Sequence, residues 1–338
     1  MEYRYLGKTG LRVSELCLGT QTFGWVTDET EAFRIMDRFV DAGGNFFDTA
    51  DSYNQGESER ILGKWLKQHG RRSSLVIATK TYFPVGEGPN DTGLSRKHVV
   101  EAIENSLRRL QTDYIDLYQL HCYDGATPLE ETLRTLDDLA KAGKICYVGV
   151  SNFAPSHLMK AIMLCRMHNW VEVASLQAEY SLLVRSSEWE LLPLCEEEGI
   201  GFLAWSPLAG GWLSGKYRRN KPIPPDSRGG RRDRFEDLPE QRVKEKTWDI
   251  IDVLVEIAEA HGKTPAQVAL NWLLSKSILV IPIFGARTVQ QLEDNLGAVG
   301  WRLDHEEMAR LDHISLQEPP YPYSFIMRYA RKRQNRGV

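Results

Sequence analysis

The stretch GGNFFDTADSY, residues 43–53, begins as a buried strand does, with glycines and then Phe46 and Phe47, and finishes in two aspartates and a tyrosine. A core strand that ends in acids calls for an architecture in which strand ends carry the chemistry. Seven runs of the same kind accompany NFFDTA (45–50): VSELCLGT (13–20), LVIATK (75–80), YIDLYQLH (114–121), CYVGVSN (146–152), VASLQAEYS (173–181), IGFLAWSP (200–207) and ILVIPIFGA (278–286). Each is apolar almost throughout, as strands covered on both faces are.

Between these runs lie segments of helical periodicity, such as TEAFRIMDRFVDAG and SRKHVVEAIENSLRRL; PLEETLRTLDDLAKAGK starts with Pro128 and stops at Gly143. Strand ends recur at roughly the thirty-residue pitch of a βα unit. Eight such units predict an α/β fold, a closed (β/α)8 TIM barrel formed by residues 1–338 as one domain. YRYLGKTGLRV reads as a hairpin over residues 1–12 that closes the bottom. The interval from 207 to 278 is too long for one helix, and its Pro/Gly/Arg-rich part reads as a loop inserted over 213–240, with helices resuming near Gln241. The Pro-rich and then basic end, 317–338, reads as an extended C-terminal segment.

The chain has 338 residues, 42% hydrophobic and 26% charged, enough for a sizeable core. A net charge of −4 and a pI near 6.1 give no overall attraction to nucleic acid or anionic membrane, so a small-molecule partner is expected. Oligomerisation stays open. Five scattered cysteines, none spaced C-x-x-C, fit a reducing cytoplasm and indicate neither a disulfide framework nor a metal site. No run of eighteen apolar residues is present, so membrane insertion is not expected.

In such a barrel the catalytic groups project from the C-terminal strand ends into one mouth. Asp48 closes the second strand, Tyr53 follows one short turn later, Lys80 ends the third and His121 the fourth. His121 is the only one of eight histidines that terminates an apolar strand. Singly, each has a plainer explanation as a cap, a packing residue or a solvated charge; four strand ends delivering them to one mouth favours chemistry. Asp51 reads as a loop or cap residue. A tyrosine ionises near pH 10 (~10), and a neighbouring ammonium lowers that value. Lys80 supplies the ammonium, and Asp48 would keep it protonated when buried. His121 could orient a carbonyl oxygen or share the proton.

DTADSY, TK and LYQLH resemble the catalytic tetrad of the aldo-keto reductases, and the likeness runs on through GVSNF, LQAEYS, AWSPLAGG and VIPIFGARTVQQLEDN. The Trp at 205 and the SGKY that follows are similar to the branch of potassium-channel β subunits and related bacterial reductases. The resemblance implies hydride transfer from NADPH to an aldehyde or ketone, with Asp48, Tyr53, Lys80 and His121 as the catalytic residues and Tyr53 as general acid. It places Ser151, Asn152 and Gln177 on the nicotinamide carboxamide and Trp205 against the ring. Ser206, Pro207, Leu208, Ala209 and Gly210 would take the pyrophosphate, with Lys216 and Arg228 closing from the long loop. Gly19, Thr20 and Asp48 belong to the same implied cofactor set. Gly285 and Arg287 lead into a helix whose first turn would face a 2′-phosphate, and Asp294 and Asn295 would contact the adenine. Gln291 departs from the arginine that many members carry there.

Phe23, Trp25, Tyr82 and Tyr123 are expected around the substrate, with Trp212, Tyr321, Tyr323 and Phe325 nearby. GIGFLA (199–204) matches a dinucleotide fingerprint in letters alone, since it follows a helix and opens a strand. Two other functions are weighed. One is a nucleotide-binding regulatory subunit that reports redox state, as in the channel-associated branch. The other is an aldolase using Lys80 as a Schiff-base amine.

Overall fold

In the computed structural model, which describes residues 1–225 and 244–330, eight parallel strands close into a barrel ringed by helices. An antiparallel pair, β1 (Tyr3–Tyr5) and β2 (Arg12–Ser14), precedes it. The barrel strands are β3 (Cys17–Gly19), β4 (Phe46–Asp48), β5 (Val76–Thr81), β6 (Ile115–Leu120), β7 (Ile145–Ser151), β8 (Val173–Glu179), β9 (Gly201–Trp205) and β10 (Val280–Gly285). Each pairs with the next in chain order, and β10 closes on β3 with Ile283 opposite Cys17. This is the (β/α)8 TIM barrel that the strand pattern predicts. No helix among the described residues is long and apolar enough to cross a membrane.

The helices α1 (Glu29–Asp41), α2 (Glu57–His69), α3 (Arg96–Leu110), α4 (Leu129–Lys141), α5 (Pro155–His168) and α6 (Leu191–Glu198) follow β3 to β8 in turn. Then α7 (Glu245–Ala260) and α8 (Pro265–Leu274) precede β10, and α9 (Val289–Leu296), α10 (His305–Ser315) and α11 (Tyr323–Tyr329) follow it. Helix α1 shows how sequence sets these elements. Asp28 caps it by accepting from the Glu31 N–H, and Ala32, Ile35, Met36 and Phe39 fall on one buried face. Phe39 meets the outward-facing Phe47 of β4 edge-on, with ring centroids 5.3 Å apart. Truncating either ring would cost about 3–5 kcal/mol.

Strand alternation divides the barrel interior into two layers. The lower layer is apolar: Cys17, Phe46, Val76, Ala78, Leu117, Leu203, Ile281 and Ile283 pack together with Leu6 and Val13 from the hairpin, which close the bottom. Two residues further along β4 and β6 the inward position holds Asp48 and Gln119, and two beyond Ala78 on β5 it holds Lys80. The polar mouth is therefore the next turn of the same alternation that builds the core.

Several boundaries differ from the sequence expectation. The run read as the first strand splits, because Val13 and Ser14 belong to the hairpin, which thus reaches residue 14. Buried Glu15 marks the break, where it accepts from the Glu2 N–H at 2.9 Å and pairs with Arg4 and Arg302. Strand β5 runs one residue past Lys80, and β6 stops one before His121. The C-terminal segment is not wholly extended, since Pro322 leads into α11, where the Ile326 N–H bonds the Pro322 carbonyl at 2.9 Å. Most of the loop expected over 213–240, with Arg228 in it, lies outside the described residues.

Candidate active site

Lys80 stands at the centre of the mouth, wholly buried. Its ammonium donates to Asp48 Oδ1 at 2.5 Å, to the Thr49 carbonyl at 2.7 Å and to the Tyr53 hydroxyl at 3.0 Å, so three donors meet three acceptors. The other Asp48 oxygen accepts from Gln119 Nε2 at 3.0 Å and Gln177 Nε2 at 2.9 Å. A carboxylate so enclosed can be buried as an ion. Gly149 makes the arrangement possible: a Cβ there would fall 2.5 Å from Ser175 Oγ and 2.9 Å from Gln119 Cγ. Backbone bonds fix the loops, from Asp51 N to the Lys80 carbonyl and from His121 N to the Thr81 carbonyl, both at 3.0 Å.

Burial works against the Lys80 ammonium, but Asp48 and Tyr53 outweigh it, and the pKa lies above the ordinary lysine value. For Tyr53 the balance corrects the sequence expectation. Burial pushes its phenol up further than Lys80 pulls it down, so its pKa is raised rather than lowered. Tyr53 therefore keeps its proton at neutral pH. Burial, reinforced by the Lys80 charge, holds His121 well below the usual imidazole value, so the ring is neutral. His121 meets Tyr53 edge-on at 5.7 Å, and its buried Nδ1 has no hydrogen-bond partner.

Asp51, expected as a loop or cap residue, lies in the loop between β4 and α2 and caps nothing. It is 2% exposed and neither carboxyl oxygen makes a hydrogen bond, although Thr81 lies close enough to ease its ionisation. Burial raises its pKa to about 7, with Glu59 adding to the rise and Arg109 opposing it.

Above these groups runs a cleft of about 810 Å³, near the upper end of the usual small-molecule range of about 300–1,000 Å³. Tyr53, His121, Phe83 and Trp25 line it, as do Arg287, Gln291, Asp294 and Asn295. Asn152 ties the middle together, donating to the His121 carbonyl at 3.0 Å and accepting from Trp205 Nε1 at 3.1 Å. That bond fixes the plane of an indole whose ring lines the cleft. After β9 the backbone turns left-handed at Ser206 (φ 51°), Ala209 (49°), Gly210 (67°) and Gly211 (93°), a concave turn of the kind that holds anions. A Cβ on Gly211 would fall 2.6 Å from Lys216 Nζ, so glycine alone lets the ammonium lie against this turn. Aromatic face, concave turn with ammonium, and a cleft of about 810 Å³ fit a nicotinamide dinucleotide.

The family model for the "Aldo/keto reductase family" matches residues 15–316. This chain belongs to the aldo/keto reductase family. Among its relatives, an uncharacterised oxidoreductase of Bacillus subtilis (strain 168), YrpG, is 44% identical over 93% of this chain and 96% of its own length. A probable voltage-gated potassium channel subunit beta of Oryza sativa subsp. japonica is 38% identical over 88% and 91%. The versiconal hemiacetal acetate reductase of Aspergillus parasiticus is 33% identical over 95% and 99%.

In this aldo/keto reductase most of the residues singled out in sequence come together. Asp48, Tyr53 and His121 line the cleft and Lys80 lies directly beneath. Gly19, Ser151, Asn152, Gln177, Trp205, Ser206, Pro207, Leu208, Gly210, Lys216, Gly285, Arg287, Gln291, Asp294 and Asn295 all line it as well. Thr20 and Ala209 do not: both are buried, Thr20 donating to the Asp48 carbonyl and Ala209 within the turn after β9.

The aromatic residues are more dispersed. Trp25 lines the cleft, whereas Phe23 is fully buried, turned inward where its N–H bonds the Thr20 carbonyl. Tyr82 packs on Phe83, and Tyr123 stacks on His157 at 3.5 Å. Trp212 is buried against Tyr217, Tyr323 stacks on Trp189, and Tyr321 and Phe325 face solvent; none of these lines the cleft. Among the residues missed are Gln119, Phe83 and Gly211. Gln119 reads in sequence as one more strand residue, and only its place two before His121 marks it as inward. Phe83 covers His121 edge-on at 4.7 Å, and its signal in the sequence was an aromatic three residues beyond Lys80, just after a strand.

Proposed function

We propose that this protein is a carbonyl reductase that takes NADPH as hydride source and converts an aldehyde or ketone to an alcohol, with Tyr53 as general acid. The observation that carries the reading is a tyrosine hydroxyl, 3.0 Å from a buried ammonium, at the floor of a cleft sized for a dinucleotide. Bound reduced nicotinamide would supply the hydride. Trp205, its indole pinned by Asn152, would set the face presented, and Ser206 to Gly211 with Lys216 would hold the pyrophosphate.

As charge builds on the substrate oxygen, Tyr53 passes it the phenolic proton, and Lys80 stabilises the phenolate left behind. Asp48, held by Gln119 and Gln177, keeps Lys80 charged through the step. Neutral His121 orients the oxygen. Carbon gains the hydride, oxygen gains the proton, and Tyr53 recovers its own from water. All five cysteines are unpaired, which suits a reducing cytoplasm.

The test follows reduced-nicotinamide absorbance as the protein meets NADPH and an activated aromatic aldehyde. Tyr53→Phe should lower turnover by about 10²–10⁴-fold while tryptophan fluorescence still reports cofactor binding. Undiminished turnover would remove Tyr53 from its role. A second reading, a redox-reporting regulatory subunit, rests on the 38% identity to a probable potassium channel subunit beta. Turnover no faster than cofactor exchange, with a membrane partner co-purifying, would favour it.

A further inference from the structure

At the start of α9, Arg287 and Gln291 line the wall of the cleft. A helix start is a natural seat for an anion, because its first amides point outward without partners. Here two of those amides, on Val289 and Gln291, are already engaged, as is the Arg287 amide just before the helix. The Val289 N–H donates to Glu31 Oε1 at 2.8 Å, across from α1. The Gln291 N–H donates to Thr288 Oγ1 at 3.2 Å, and the Arg287 N–H to Gln291 Oε1 at 2.9 Å.

Glu31 is built into this position. Its own N–H bonds Asp28 at 2.9 Å, and its second oxygen pairs with Arg34 at 2.9 Å. Helices α1 and α9 are further joined by the Arg38–Glu293 pair, and the Thr27 hydroxyl reaches the Arg287 carbonyl at 3.4 Å. The start of α9 therefore faces an internal carboxylate fixed by several contacts, in the first turn beside Arg287.

We propose that Glu31 is a specificity-determining residue for the 2′ position of the nucleotide: its carboxylate, seated on the first amide of α9, weakens the hold on a 2′-phosphate and lets the cleft accept NADH beside NADPH. The inference rests on the reading that the cleft takes a nicotinamide dinucleotide with its adenosine end on α9. A 2′-phosphate brought to this turn meets a helix start whose first amide is already taken by the Glu31 carboxylate, and it gains from Arg287 only against that charge. A 2′-hydroxyl is uncharged and meets no such opposition.

The experiment titrates NADP+ and NAD+ separately, following tryptophan fluorescence, into the wild type and two variants. Glu31→Gln keeps an acceptor for Val289 and removes the charge; the NADP+ Kd should fall about three- to tenfold and the NAD+ Kd should stay within about twofold. Arg34→Gln leaves Glu31 uncompensated; the NADP+ Kd should rise while that for NAD+ holds. Arg34 is 67% exposed, so this variant reports even if Glu31→Gln folds poorly. Equal changes for both dinucleotides, or none for NADP+, would overturn the role of Glu31 and leave the cofactor reading standing. A wild type that binds neither dinucleotide would remove that reading, and this inference with it.

Discussion

Replacing Asp51 with Asn should stabilise the protein at alkaline pH relative to acid pH, by an amount the structure sets. The unfolded carboxyl ionises near 3.8 and the folded one near 7. Between those values the folded state holds a proton that the unfolded chain has released, so stability falls as pH rises; above about 7 the loss is complete. A gap of about three pH units, at about 1.4 kcal/mol each, makes the loss about 4 kcal/mol. With Asp51 2% exposed, solvent does little to soften it, and the figure is a large share of a typical total of about 5–15 kcal/mol.

Asn carries no ionisable proton, so any constant cost of its unpaired amide drops out of the pH slope. The charged neighbours Glu59 and Arg109 are the same in both proteins. The assay is urea unfolding of wild type and variant at half-unit steps from pH 4.5 to 8.5. The difference in unfolding free energy should grow by about 3–4 kcal/mol up to pH about 7 and then level off. A difference that stays constant across the range would show that Asp51 ionises freely in the fold, and the account of it as a buried, unpartnered acid would fail.

Two further outcomes follow from the site. Asn152→Ala releases both the Trp205 indole and the His121 carbonyl; cofactor Kd should weaken about tenfold, the equivalent of roughly one hydrogen bond, with kcat falling less, as separate titration and turnover measurements would reveal. Gly149→Ala should displace Gln119 and cost about 1–3 kcal/mol in urea unfolding; an unchanged midpoint would mean that the barrel wall yields more easily than the 2.5 Å approach to Ser175 implies.

The barrel was legible because its strands are covered on both faces, which writes eight apolar runs at a steady pitch into the chain. Asp48 and Lys80 were legible because they interrupt those runs near their ends. Gln119 was not, since its task is to hold a carboxylate from another strand, and nothing local to YIDLYQLH records that. The loop position of Asp51 was legible but its burial was not, because its surroundings, Glu59, Thr81 and Arg109, come from three other elements. Phe23 and Trp25 sit two apart in one loop, and a turn closed by the Thr20 carbonyl sends one into the core and leaves the other at the cleft. The contact of Glu31 with Val289 spans 258 positions and depends on how two surface helices meet.

Leu6 and Val13, packed beneath Phe46 and Leu117, make the foundation of the molecule a separate storey from its workshop. Exchanges among the loops bearing Trp25, Phe83 and Lys216 would retune selectivity at small risk to foldability. Exchanges in the lower storey would do the reverse, which leaves each half free to drift without dragging the other along.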